Sequence, residues 1–150
     1  MEPSRREALL LGGTAGLTAL SGCSGLLSGP PKLTLELINF TDEPHTLALR
    51  LFRMDGTDRS DATVLRDRFE LQSSGEGTSY SESYDDVVDS DRYVVQAHLV
   101  DDRSVRADHL FYPDCAGGGG PPDKLLVEVD RNDGDSEPFF RFQQNTCASL

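Results

Sequence analysis

Leucine recurs at every second position in two stretches, and that spacing limits what the chain can become. Lys32–Asn39 reads KLTLELIN, with Leu33, Leu35 and Leu37 in alternation. His45–Arg53 reads HTLALRLFR, with Leu47, Leu49 and Leu51 in the same rhythm. Side chains that return to one face every two residues belong to extended strands with one buried side. Thr41, Asp42, Glu43 and Pro44 between the two runs make a turn cluster, and Asp55-Gly56 closes the second run. Further strands are predicted over 62–71, 78–84, 92–100, 105–112, 124–130 and 138–143, separated by Gly, Ser, Asp and Pro. No stretch carries a sustained helical stripe. Eight short strands with turns at this spacing predict an all-β chain, folded as an antiparallel sandwich or barrel.

One stretch narrows the choice. Asp89, Asp91, Tyr93 and Val95 stand at alternate positions in DSDRYVV. The stretch resembles the tyrosine corner of immunoglobulin-like β-sandwiches, where Asp, a small residue, Tyr and Cys follow at that spacing. Asp91 fills the small-residue slot and Val95 the cysteine slot, and the chain has no Trp for the core centre. The resemblance implies an immunoglobulin-like sandwich of seven or eight strands over 32–150, without the antibody-type bridge.

The N-terminus reads differently. A basic pair, Arg5-Arg6, precedes an apolar run over 8–20 that contains Gly12, Gly13 and Gly16. Roughly 20 apolar residues are needed to span a bilayer as a helix. A shorter apolar core behind positive charge and ahead of small residues is the pattern of a removable export signal. Ser4-Arg5-Arg6-Glu7-Ala8-Leu9 resembles the twin-arginine export motif, with Ala8 where that family usually has Phe. Leu20-Ser21-Gly22-Cys23 resembles the lipobox of bacterial and archaeal lipoproteins at every position. That resemblance implies cleavage before Cys23 and a diacylglyceryl group on its thiol. It divides the chain into a signal over 1–22, a lipidated tether over 23–31 and a folded domain over 32–150. Two acyl chains give stable anchoring where one does not. The tether SGLLSGPP extends at most about 30 Å. The expected location is the outer face of the cell membrane, with the membrane itself as the first partner.

Charge supports this division of labour. The chain carries a net charge of −12, and removal of 1–22 takes away Arg5, Arg6, Glu2 and Glu7, which cancel. Nucleic acid is an unexpected partner, because no basic patch is visible in the sequence. Attraction to an anionic membrane surface is equally unexpected, so the lipid has to hold the domain. Only Lys32 and Lys124 are lysines, against abundant Asp. This composition resembles the proteins of extremely halophilic archaea, whose self-repulsion is screened at molar salt. With Cys23 lipidated, Cys115 and Cys147 remain, and two cysteines in an exported domain favour a disulfide over free thiols. Closing about 30 residues would contribute roughly 3–4 kcal/mol in the chain-entropy model.

Candidate sites are few. His98 and His109 could share a metal only if a hairpin over 92–112 set them on one face. The favoured register opposes Tyr93, Val95, Ala97 and Leu99 to Phe111, His109, Ala107 and Val105, so His109 faces inward and His98 outward. Neither Cys115 nor Cys147 is followed by the His or Met of a copper site. Asp85, Asp86, Asp89 and Asp91 cluster, as do Asp130, Asp133 and Asp135, without the spacing of a calcium loop. Asn132-Asp133-Gly134-Asp135 reads as a hairpin turn. Residues 117–120 are four glycines followed by Pro121-Pro122, which is no phosphate cradle. No serine sits in a nucleophile elbow. Asn39-Phe40-Thr41 is a sequon, which makes Asn39 a possible glycosylation site. The sequence therefore predicts no catalytic residue, no metal ligand and no cofactor. The expected activity is binding, as a cell-envelope interaction module with an unknown protein or ligand partner. The alternative is a metal-ion or small-ligand lipoprotein that uses its acidic loops.

Overall fold

The structure is a computed structural model that describes residues 29–56, 58–115, 120–133 and 137–147. The signal over 1–22 with Arg5 and Arg6, Cys23 and most of the tether lie outside the described residues. So do residues 117–119 of the glycine run, and Gly134 and Asp135 of the last turn. The strands are β1 (Lys32–Asn39), β2 (His45–Arg53), β3 (Thr63–Leu71), β4 (Tyr80–Asp89), β5 (Tyr93–Leu99), β6 (Arg106–Phe111), β7 (Asp123–Arg131) and β8 (Pro138–Gln144). One helical turn, α1 (Arg59–Ala62), precedes β3. Two four-stranded sheets are ordered β4-β1-β7-β8 and β3-β2-β5-β6. The chain is the all-β sandwich that the alternation predicts.

The alternating leucines make the layers. Leu33, Leu35 and Leu37 of β1 join Leu125, Val127 and Val129 of β7 on the inner face of the first sheet. Leu47, Leu49 and Leu51 of β2 join Tyr93, Val95, Ala97 and Leu99 of β5 on the inner face of the second. All of these are at most 2% exposed. Burying each large apolar side chain contributes about 1.5–3 kcal/mol. The open edges are closed by rings. Phe69 of β3 meets Tyr84 of β4 at 5.0 Å, and His109 of β6 stacks on Phe142 of β8 at 4.9 Å.

The pairings carry the tyrosine corner into place. β1 pairs with β4, and β2 lies between β3 and β5 with β6 beyond. These are the neighbours of strands B and E, and of C′, C, F and G, in the immunoglobulin sandwich. Tyr93 opens β5, is wholly buried, and donates its hydroxyl proton to the Asp89 carbonyl at 2.5 Å. That bond pins the crossover from one sheet to the other.

Two details differ from expectation. β7 runs parallel to β1, so the first sheet is not purely antiparallel. Sequence alternation marks a strand but not its neighbour's direction. β4 runs on to Asp89 rather than ending at Tyr84, through a bulge where Leu33 opposes Val88 and Leu35 opposes Tyr84. Asp86 sits in that bulge at φ 56°, a left-handed conformation that Asp tolerates better than most residues. The extra residues break the alternation that would have marked the strand.

The β5–β6 hairpin has the expected register, with Tyr93 opposite Phe111, Val95 opposite His109 and Ala97 opposite Ala107. His109 therefore points inward, where its Nε2 is buried without a partner. Burial pushes its pKa below 6.5. The ring is neutral in the fold, while the unfolded chain takes up a proton below about pH 6.5. Its contribution is complete above that pH and is lost as the pH falls through the lower folded value. The wild-type melting temperature should therefore drop more steeply between about pH 7 and about pH 5, a window that spans the ordinary histidine value of about 6.5, than that of His109→Phe. Parallel curves would show that His109 has no part in acid sensitivity.

Candidate functional site

The end of the sandwich where the chain enters β1 is heavily fastened. The Ser90 amide donates to the Pro31 carbonyl at 2.7 Å, and Lys32 pairs with Asp89 at 2.6 Å. Asp123, at 1% exposure, accepts from the Ser90 hydroxyl at 2.6 Å and from the Asp114 and Cys115 amides at 3.0 and 2.8 Å. The Cys115–Cys147 disulfide closes beside it, across Cα atoms 4.9 Å apart. One buried carboxylate thus ties the β4–β5 crossover and the β6–β7 loop to the start of β7. Asp123→Ala would strand three donors and should cost roughly 3 kcal/mol or more, whereas Asp123→Asn keeps one acceptor and should cost less. Urea midpoints of the two variants check this; equal midpoints would contradict it.

The far end holds a second polar knot, built on the asparagine of the sequon. Asn39 is wholly buried. Its amide nitrogen donates to the carbonyls of Glu43 and Gln72, both at 2.8 Å. Its oxygen accepts from the Thr41 amide and hydroxyl at 2.9 and 2.8 Å. Thr41 in turn meets His45 Nε2 at 2.9 Å. Both amide hydrogens that a glycan would need are spent inside the fold, so the folded chain offers no acceptor at Asn39. The sequon residues hold the β1–β2 turn against the end of β3 instead.

Among the described residues, neither acidic cluster forms a group of three within metal-binding reach. Asp89 pairs with Lys32, Asp85 accepts from Thr34, Asp91 bonds its neighbour's amide, and Asp130 pairs with Arg141. Among the described residues, the one group of three potential ligands within metal-binding reach is Asp114, Cys115 and Cys147. Its two sulfurs are joined to each other, which leaves a single carboxylate.

The outer face of the second sheet is where charge gathers. The strand registers place Arg68, Ala48, His98 and Arg106 in one row across β3, β2, β5 and β6. The next row is Arg66, Arg50, Gln96 and Asp108. Arg103 joins them from the β5–β6 turn. Two open depressions of about 440 and 330 Å³ meet at His98. Gln96, Arg103, Arg106 and Asp108 line the larger; Arg50, Arg66 and Arg68 line the smaller. Ala48, the short side chain between Arg68 and His98, leaves room for the smaller one.

This arrangement works against stability. Like charges directly across a ladder are destabilising, and Arg50 faces Arg66. Lys32, Lys124, Arg131 and Arg141 all find carboxylates. Among the described residues, none of the five arginines on this face does, in a chain with 26 acidic residues. Burial first, and then the fields of Arg50, Arg103 and Arg68, push the His98 pKa below 6.5. An anion seated there would relieve that field. Guanidinium groups recognise carboxylate and phosphate oxygens with two parallel donors. What the face can do chemically is hold oxyanions.

The sequence reading missed this patch and expected none. The composition is acidic overall, but the fold collects five arginines from three strands and a turn. Arg66 and Arg68, two apart on one strand, were the available signal. His98 and His109 lie on opposite faces, as their register implies.

No protein-family model matches this chain, and no curated protein matches it.

Proposed function

We propose that the chain is a lipoprotein of the outer membrane face, lipidated at Cys23, whose sandwich is a non-enzymatic binding module. Its binding face is the arginine-lined outside of the second sheet, and its ligands carry oxyanions. The observation that carries this reading is the set of five unpaired arginines around two adjoining depressions. A strongly acidic domain keeps them unpaired at a cost in stability, which a binding role explains. The linings hold no Phe, Tyr or Trp ring on which a nucleobase could stack; His98 is their one aromatic side chain. The Cys23→Ser chain should bind inorganic polyphosphate saturably by calorimetry. Combining Arg50→Ala, Arg68→Ala and Arg106→Ala should weaken that binding by about tenfold or more, since each lost charge-assisted bond is worth roughly 1.5–3 kcal/mol. Equal binding by both proteins, or none by either, would refute the reading.

A further inference from the structure

We infer that the oxyanions on this face belong to lipid headgroups, and that the domain stands on an anionic bilayer with the Met54–Leu110–Tyr112 end of its second sheet in the interface. The inference rests on the anchored reading above and names the surface that the arginines meet.

The same face carries a second feature. Below the arginine rows, toward the start of β5, the next outward row is Phe52, Val94 and Leu110. Leu110 is 48% exposed, and just past the strand ends Met54 and Tyr112 are 44% and 46% exposed. Among the described residues, three of the four exposed large apolar side chains are thus at one end of the sandwich. Arg53 pairs in register with Tyr93, and Tyr93 with Phe111, at that same end.

This is also the end where the chain arrives from its anchor. Pro31 bonds Ser90, which lies three residues before Tyr93. Eight residues separate Cys23 from Lys32, a reach of at most about 30 Å and much less when relaxed. The apolar end therefore faces the bilayer at close range. An apolar edge with cations behind it matches the depth profile of a membrane interface.

The spacing agrees. Outward rows on a strand are about 7 Å apart. With Leu110 at the acyl boundary, Arg50 and Arg66 stand about 7 Å higher and Arg68 and Arg106 about 13 Å higher. The headgroup layer is roughly 5–8 Å thick on each side. The first arginine row then lies among phosphates and the second just above them. A soluble polyanion would explain the arginines but not the exposed Met54, Leu110 and Tyr112 beneath them. In molar salt, moreover, long-range attraction is screened, whereas apolar burial and contact hydrogen bonds survive.

The test uses the Cys23→Ser chain, so that the lipid does not mask the face. Cosedimentation in molar salt is measured with phosphatidylcholine vesicles and with equimolar phosphatidylcholine and phosphatidylglycerol vesicles. Polyphosphate binding is measured alongside, and circular dichroism verifies that each variant is folded. Binding should favour the anionic vesicles. It should fall about tenfold or more in Arg50→Ala/Arg68→Ala and severalfold in Met54→Ser/Leu110→Ser. The Met54→Ser/Leu110→Ser chain should bind polyphosphate like the parent. Equal binding to both vesicles overturns the inference, as does unchanged vesicle binding by Met54→Ser/Leu110→Ser. Binding to polyphosphate without binding to vesicles overturns it too, and leaves the anion-binding reading in place. Binding to neither removes both.

Discussion

A Cys23→Ser chain is expected to leave the membrane fraction, while the wild-type chain stays there through washing. The reason is the size of the lipid term. Each buried methylene of an acyl chain contributes about 0.8 kcal/mol, and two chains make release negligible on the time scale of fractionation. What remains without them is the apolar end with Met54, Leu110 and Tyr112, and the arginines behind it. Those contacts are reversible, and a wash removes a reversibly bound protein. Fractionation followed by immunoblotting checks this. Retention of Cys23→Ser after washing would mean that something other than a lipid on Cys23 holds the protein.

Transfer from molar salt to dilute buffer is expected to unfold the domain. The net charge of −12 resides in the part after residue 22. At 1 M salt the Debye length is about 3 Å, so acids on different strands hardly sense one another; at 0.01 M it is about 30 Å, which spans the domain. The ladder of Arg50 against Arg66 adds local repulsion of the opposite sign, likewise exposed by dilution. A stability of roughly 5–15 kcal/mol leaves little margin for such a change. Circular dichroism should lose its strand signal on dialysis and regain it when salt is restored. An unchanged spectrum with an unchanged urea midpoint would contradict the comparison with salt-adapted proteins.

How far the sequence reveals this molecule depends on the range over which each feature is encoded. The leucines of β1 and β2 announce their strands because alternation is a local property. The β5–β6 register is legible for the same reason, since a one-residue slip would set Leu99 against Arg106. The disulfide follows from counting, because only Cys115 and Cys147 remain if Cys23 carries lipid as proposed. The bulge at Asp86 hides the second half of β4, because two added residues erase the period. The parallel pairing of β7 with β1 depends on a strand more than eighty residues away along the chain. Asn39 misleads because a tripeptide does not report burial. The arginine face is the largest omission. Its members come from β2, β3, β6 and a turn, and only the ladder brings them together.

The account's central claim is an anchored module, and the intact mass of the protein extracted from membranes tests it most directly. The prediction is a chain that begins at Cys23, heavier than its sequence by one diacylglyceryl group, and lighter by two hydrogens for the Cys115–Cys147 bridge. A mass that retains residues 1–22, or that begins elsewhere without added lipid, would contradict it.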